Sequence, residues 1–312
     1  MYAPAVRRGA YIAVHVMKTN RLWPLMLLAA AISSLTACSR SDADDARPLV
    51  TVSVEPQRYL VEQIAGDRFR VVTLMPNGEN PEMYEPPVAS RMAVDRSRVF
   101  FSTGFFPFES AAALAVSGST AVVNTSEGID LIYGTHSHAD GHANFLHVDS
   151  AHRAPDPHVW TSVRNTRIMA SRIAQGLIDA DPDNADSYRT ALGRIDRSLD
   201  SLDRVISEKL DTLPTRTFLV WHPSLTYFAR DYDLEQLAVS ADSRESSMPQ
   251  MRRVIDEARA DSVRVFFYQK EYDTRQARAI NSGVGSHMLP IQPNSYSWLA
   301  QLDSIADELA RP

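Results

Sequence analysis

Histidine is concentrated in one short stretch of this chain. The chain contains nine histidines, and five of them lie close together: His136, His138, His142, His147 and His152. Neutral imidazole is the commonest protein ligand for zinc. Glycine, proline, aspartate and serine surround these histidines, which predicts a loop that cannot form a core but can bind cations. The alternative is a solvated polar loop whose histidines have no shared role.

Three more candidate ligands stand outside this tract. His158 follows it in an Asp-Pro-His-Val-Trp segment, His222 lies in Trp-His-Pro-Ser, and Glu82 lies in Pro-Glu-Met-Tyr-Glu-Pro. Each stands in a proline-marked loop where a predicted strand ends or a helix begins, and α/β sheets bind their ligands at such positions. A single histidine of this kind is more often structural, but the three positions together favour a metal site.

The elements that would position these residues alternate between strand and helix. β-branched and aromatic runs predict strands, and apolar residues spaced three to four apart predict helices. The predicted strands cover residues 49–54, 69–75, 99–102, 120–124, 217–221, 234–240, 263–268 and 288–292. The predicted helices cover residues 57–65, 88–96, 109–116, 162–180, 184–211, 225–231, 249–260, 274–281 and 296–310. This order predicts two α/β halves with parallel sheets, joined by the long helix at 184–211, for which a coiled coil is the alternative.

Composition limits the classes of function. The chain has 312 residues and a net charge of −6, with acidic and basic residues mixed along it. It has no basic stripe of the kind that binds nucleic acid. It also has no apolar run after residue 47 that is long enough to span a bilayer. We therefore expect no nucleic-acid partner.

The single cysteine, Cys38, ends a segment typical of secreted proteins. A short basic stretch begins at Met17, an apolar run ends at Leu35, and Leu-Thr-Ala-Cys closes the segment. This order predicts a signal peptide over residues 1–38, with Met17 as the start, and a lipobox whose cysteine is lipidated after cleavage. Residues 39–47 then form a polar tether, and a transmembrane anchor is the alternative. No cysteine is left for a disulfide, so packing must stabilise the folded part.

Four segments resemble one known family. Asp156–Trp160 is similar to its Asp-Pro-His-x-Trp motif, and residues 78–86 are similar to its Gly-x-x-Pro-His-x-Tyr-Glu-Pro segment. His222–Tyr232 resembles the segment that carries its third ligand, and residues 245–247 stand where the family has Glu-Pro-Ser. On these motifs, residues 49–310 resemble the metal-specific solute-binding lipoproteins of bacterial ABC importers, the zinc- and manganese-binding cluster A-I.

The resemblance implies two α/β lobes joined by a long rigid helix, with Glu82, His158 and His222 holding a metal ion in the cleft between the lobes. It implies high-affinity capture of Zn²⁺ outside the cytoplasm and delivery to an ABC permease in the membrane, without catalysis. It also implies a monomer anchored by lipid in the cell envelope, on the periplasmic side in a Gram-negative cell. The implied parts are an N-terminal lobe at 48–181 with its His-rich loop at 136–152, a linking helix at 182–212 and a C-terminal lobe at 213–312.

Two positions depart from the family pattern. Glu82 replaces its first histidine; a carboxylate still binds zinc but makes the site harder, so manganese or iron is the alternative cargo. Near the C-terminus, Gln292 stands where many members have an acid, and Glu271 is the alternative fourth ligand. Glu85 is another acid near the first ligand, and its expected role is to cap or orient that loop. His222 at the third position favours zinc.

The five-histidine loop implies a second kind of metal site. Flexible ligands lose conformational entropy when they chelate an ion, so we expect this loop to bind metal more weakly than the cleft does. Typical zinc-type members of the family carry such an insertion. The loop therefore stands as a secondary and exchangeable metal site.

Two other functions stay open at this point. An envelope metal buffer or adhesin would bind the same ion without a permease, and a neighbouring permease gene would distinguish it. A zinc hydrolase would use the same ligands with an open fourth position. That reaction needs a general base and a substrate groove, and the helical His-Glu-x-x-His motif is absent from the sequence.

Lipidation of Cys38 can be tested directly. We expect Cys38→Ala to accumulate as an uncleaved precursor that takes up no labelled fatty acid, because the thiol is the only acceptor in the chain. Ser39→Ala, one residue away, should be processed and labelled like the original chain. Normal labelling of Cys38→Ala would show that the segment is not a lipobox.

Overall fold

The computed structural model describes residues 46–79, 84–116, 118–134, 154–240, 247–270, 272 and 274–311. The chain divides into two compact units, Met1–Ala46 and Arg47–Pro312. The predicted signal peptide and Cys38 lie outside the described residues. The fold below is that of the second unit.

The first half forms a four-stranded parallel sheet in the order β2-β1-β3-β4. Its strands are β1 (Leu49–Val52), β2 (Arg70–Thr73), β3 (Val99–Ser102) and β4 (Ala121–Asn124). The helices between them are α1 (Glu55–Ala65), α2 (Val88–Asp95) and α3 (Pro107–Leu114). Every residue of β1 and β3 is buried, as expected for central strands covered on both faces by helices.

The second half repeats this arrangement in the order β6-β5-β7-β8, again parallel throughout. Its strands are β5 (Thr217–Val220), β6 (Glu235–Ala238), β7 (Val265–Gln269) and β8 (His287–Ile291). The helices that follow strands β5 to β8 are α6 (Thr226–Asp231), α7 (Met248–Ala260), α8 (Thr274–Val284) and α9 (Trp298–Leu309). In both sheets the strand order reverses direction between two central strands, and ligands bind at the carboxyl ends of strands near such a switch.

Two helices connect the halves. A short 3₁₀ helix, Val159–Thr161, leads into α4 (Val163–Ala180), and a second, Pro182–Asn184, leads into α5 (Ala185–Leu210). Helix α5 packs against α1 and α4 of the first half and against α9 of the second. Its apolar stripe is buried within the protein, so α5 is an internal connecting helix and not a coiled coil.

The predicted order of elements and the two-lobe α/β fold are confirmed. Some predicted strands are a few residues longer than the hydrogen-bonded strands of the structure. Residues 53 and 54, for example, were predicted in the first strand but connect β1 to α1. The proposed domain boundaries, on either side of 182–212, stay a prediction. Within the described part of the chain, no helix is long and apolar enough to cross a membrane.

Candidate metal centre

Two of the predicted ligands, His158 and His222, lie side by side in the structure. Their ring centroids are 5.3 Å apart and their planes cross at 71°. His158 comes directly before the 3₁₀ helix Val159–Thr161, and His222 lies two residues after β5. Both are buried, with 4% and 3% of their surface exposed. The fold thus joins two imidazoles that are distant in the sequence.

The position of His222 follows from the pairing of β5 with β7. The Trp221 backbone N–H donates to the Phe267 carbonyl at 2.9 Å, which extends that pairing to the residue before His222. Gln269, the last residue of β7, donates from its amide nitrogen to the His222 carbonyl at 3.2 Å and to the Ser224 hydroxyl at 2.7 Å. Gln269 therefore holds the His222 backbone on one side of Pro223 and the Ser224 side chain on the other.

His158 is oriented by the carboxylate of Asp156. One oxygen of Asp156 lies 2.9 Å from the His158 ring nitrogen Nδ1 and accepts the His158 backbone N–H at 2.9 Å. Burial acts to raise the pKa of Asp156, but hydrogen bonds and charge from His158 outweigh it and hold that pKa below its usual value. The carboxylate is therefore ionised and only accepts, so Nδ1 carries the proton of this hydrogen bond and Nε2 is the ring nitrogen that Asp156 does not engage. This is the arrangement that prepares a histidine to bind a metal.

His222 is held in its neutral form. Burial is the main cause that lowers its pKa, to about 3 from 6.5; the charge of His158 adds to the effect and Asp156 opposes it. The ring stacks on Tyr272 at a centroid distance of 5.4 Å and an angle of 19°. Because only a neutral imidazole has a nitrogen lone pair to give, His222 is in the protonation state that metal binding requires at neutral pH.

Two tryptophans connect the His158 segment to the C-terminal segment. The Trp160 indole N–H donates to the Pro293 carbonyl at 2.9 Å, and the Trp298 indole N–H donates to the Trp160 carbonyl at 2.8 Å. Both rings are almost fully buried. These two hydrogen bonds place residues 293 and 294 beside His158.

Tyr227 makes hydrogen bonds with the chain on both sides of the His-rich segment. Its hydroxyl donates to the Asp156 carbonyl at 2.9 Å and accepts the Ile132 backbone N–H at 3.3 Å. The Gly134 backbone N–H also donates to the Ala154 carbonyl at 3.3 Å. Residues 132–134 and 154–156, which flank the His-rich segment, therefore lie beside each other and close to His158.

A cavity of about 20 Å³ lies between the two imidazoles and the C-terminal segment. This is the size needed for roughly one water molecule or one ion. Its lining residues are Glu79, His158, Trp160, His222, Ser224, Gln269, Tyr272, Pro293 and Asn294. The lining combines two imidazoles with side-chain oxygens, a donor set suited to zinc or its neighbours.

The other predicted site residues are not found in the described lining of this cavity. Glu82, Glu271 and the histidines of the 136–152 loop lie outside the described residues. Gln292 is half-buried, and its backbone N–H donates to the Gln301 side chain at 2.8 Å. Gln292 is not part of the cavity lining, and Glu85 is exposed and also away from it.

Five lining residues with polar side chains were not predicted as site residues: Glu79, Ser224, Gln269, Tyr272 and Asn294. Gln269 ends a buried strand, and this position at the carboxyl edge of the sheet could have drawn attention to it. Among the described residues, no three His, Cys, Asp or Glu side chains are grouped closely enough to hold a metal ion. The described lining thus offers two imidazoles, amide and hydroxyl oxygens and the Glu79 carboxylate, without such a group of three.

Comparison with known proteins identifies the family. Residues 50–310 match the family described as the periplasmic zinc-uptake complex component A, ZnuA. The chain belongs to the ZnuA family. A crystal structure of ZnuA superposes on it with a TM-score of 0.75 and 28% sequence identity, covering 85% of this chain and 98% of the other.

Relatives of this ZnuA-family chain carry the names of two metals. The high-affinity zinc uptake protein ZnuA of Bacillus subtilis is 25% identical over 266 residues, covering 84% of this chain and 82% of that protein. The manganese ABC transporter substrate-binding lipoprotein PsaA of Streptococcus anginosus is 24% identical over 304 residues, covering 93% and 92%. The chain is thus a metal-binding solute-binding protein of the ABC-importer type, a transport family and not an enzyme family. The choice of metal depends on its own site.

Acid should destabilise the metal-free protein through His222. Between pH 6.5 and about 3 the unfolded chain binds a proton at this residue that the folded chain does not. The contribution of His222 to the free energy of unfolding is therefore complete above pH 6.5 and is lost as pH falls. The slope for this one group should approach about 1.4 kcal/mol per pH unit. Urea unfolding at a series of pH values measures it.

Two glutamine variants separate this effect from general acid denaturation. His222→Gln should reduce the slope by one proton, whereas His287→Gln, at a histidine whose side chain is 56% exposed, should leave it unchanged. Equal slopes for His222→Gln and the original chain would show that burial of His222 is not the cause.

The His-rich loop should be removable without loss of the cleft site. Deleting residues 136–152 leaves Thr135 and Arg153 between Gly134 and Ala154, and two residues are enough to close a tight hairpin. We expect the deletion to lower the number of zinc ions bound at excess zinc while the tightest site is kept. Native mass spectrometry counts the ions.

A full-length variant with serine at all five loop histidines is the control for loop length. It should lose the same weak sites as the deletion. Loss of the tightest site in a folded variant of either kind would place the loop in the primary site and contradict the two-site prediction.

Proposed function

We propose that this protein captures Zn²⁺ outside the cytoplasm and delivers it to an ABC permease, held at the membrane by lipid on Cys38. His158, His222 and Glu82 are the proposed ligands. The observation that carries the proposal is the buried pair of imidazoles around a cavity of about 20 Å³. The Asp156 carboxylate orients the His158 ring through Nδ1, and burial keeps the His222 ring neutral.

The size of the cavity favours capture over catalysis. Sites for organic substrates commonly enclose about 300 Å³ or more. Among the described residues, the space between His158 and His222 is about 20 Å³, which suits an ion. A zinc hydrolase would need a larger space at this site.

Manganese is the second candidate cargo. Relatives named for manganese support it, and so does a carboxylate at position 82, since harder oxygen ligands suit that ion. Two buried imidazoles favour zinc, because affinity for nitrogen ligands rises from manganese toward zinc. Competition between Zn²⁺ and Mn²⁺ for the mature protein, read by native mass spectrometry, distinguishes them.

Zinc should stabilise the folded protein through the two histidines. Binding to the native state alone contributes roughly 4 kcal/mol when free ligand is a thousandfold above Kd. We expect His158→Ala and His222→Ala each to abolish most of the zinc-dependent rise in melting temperature. Differential scanning fluorimetry with and without zinc measures this rise.

His287→Ala is the matched control, because His287 is exposed on β8 and does not line the cavity. It should keep the full rise. If both His158→Ala and His222→Ala keep it as well, the metal site lies elsewhere in the chain.

A further inference from the structure

Asn294 occupies a fixed position in the turn between β8 and α9. The carbonyl of Pro293 accepts the Trp160 indole N–H at 2.9 Å. The Ser295 backbone N–H donates to the Gln292 carbonyl at 3.0 Å, and the Trp298 backbone N–H donates to the Ser295 carbonyl at 3.2 Å. The backbone is thus held on both sides of Asn294, and the side chain lines the cavity with the two histidines.

The amide of Asn294 is buried and has no hydrogen-bond partner among the described residues. Neither its oxygen nor its nitrogen makes a hydrogen bond with any residue that the structure describes, and both atoms are shielded from solvent. Burying a polar group in this state is unfavourable by roughly 1–3 kcal/mol. Native proteins contain few such groups, and a bound ion or water is one explanation for them.

The neighbouring amides of the site differ from Asn294. Gln269 also has a buried oxygen without a hydrogen bond among the described residues, but its nitrogen has two acceptors, so this side chain has a structural role. Gln292, the sequence-based candidate for the fourth ligand, does not line the cavity. Of the three, Asn294 is the amide with no other role in the described structure.

We propose that Asn294 is a ligand of the captured ion, binding it through the side-chain oxygen Oδ1 at the position that the sequence assigns to Gln292. This inference rests on the proposed function. An amide oxygen is a neutral and fairly hard donor that suits a divalent ion beside two imidazoles. Because it adds no charge, it holds the ion less strongly than a carboxylate at the same place, which suits a protein that must release its cargo.

Three variants test the proposal, each measured metal-free and with metal. Asn294→Ala removes the oxygen, Asn294→Asp keeps its position and adds a charge, and Gln292→Ala is the matched control for a neutral amide in the same turn. The readouts are zinc affinity by chelator competition, the visible absorption spectrum with Co²⁺ in place of zinc, and the melting temperature of the metal-free protein.

Asn294→Ala should weaken zinc binding roughly tenfold or more and change the Co²⁺ spectrum, because one ligand is exchanged for water. Its metal-free form should melt at the same temperature or higher, since a buried amide without a partner is removed. Asn294→Asp should bind both metals more tightly, with the larger gain for Mn²⁺. Gln292→Ala should change neither affinity nor spectrum.

Other outcomes overturn the proposal. Unchanged affinity and an unchanged Co²⁺ spectrum in Asn294→Ala would exclude Asn294 as a ligand, and a loss in Gln292→Ala alone would return the role to Gln292. A lower metal-free melting temperature in Asn294→Ala, with Asn294→Asp no tighter for either metal, would make the amide structural. If Asn294→Ala does not fold, Asn294→Asp decides the question alone. Failure of the original chain to bind any metal would instead contradict the proposed function.

Discussion

The site depends on two hydrogen bonds, which two buried indole N–H groups donate to backbone carbonyls at the junction of the two halves. Trp160 donates to the carbonyl of Pro293, and Trp298 donates to the carbonyl of Trp160. The first bond fixes the turn that carries Asn294, and the second fixes the segment that carries His158. Since buried N–H and carbonyl groups must find partners, neither segment can move far without leaving one of these groups unsatisfied. These two bonds therefore hold the His158 and Asn294 sides of the cavity in place.

Electrostatics prepare the cavity for a cation. His158 is bound to an ionised carboxylate, and burial keeps His222 neutral. The two rings would repel each other if both were protonated, but they can share one divalent ion through their lone pairs. A site whose ligands are held in place by surrounding contacts avoids the conformational entropy that free side chains lose on chelation.

Much of the architecture could be predicted from the sequence. The alternation of strand and helix patterns predicted both sheets, because parallel strands buried on two faces need long apolar runs separated by helices. The Asp-Pro-His motif also indicated His158 as a candidate ligand, whereas the contact that Asp156 makes with it became visible only in the structure. The fourth ligand could not be predicted in this way. Gln292 and Asn294 are both neutral amides in one turn, and their local sequence does not state which of them faces inward.

The sequence by itself indicated the helices and strands, the family and two candidate histidine ligands, because periodicity and short motifs are local properties of the chain. Tertiary structure alone decided which side chains surround one small cavity. His158, His222 and Asn294 come from three distant segments, and their meeting depends on strand pairing at β5 and β7 and on the bonds of Trp160 and Trp298. Burial, which gives His222 its low pKa and leaves the Asn294 amide without a partner among the described residues, is a property of the packed structure and is not carried by any single segment.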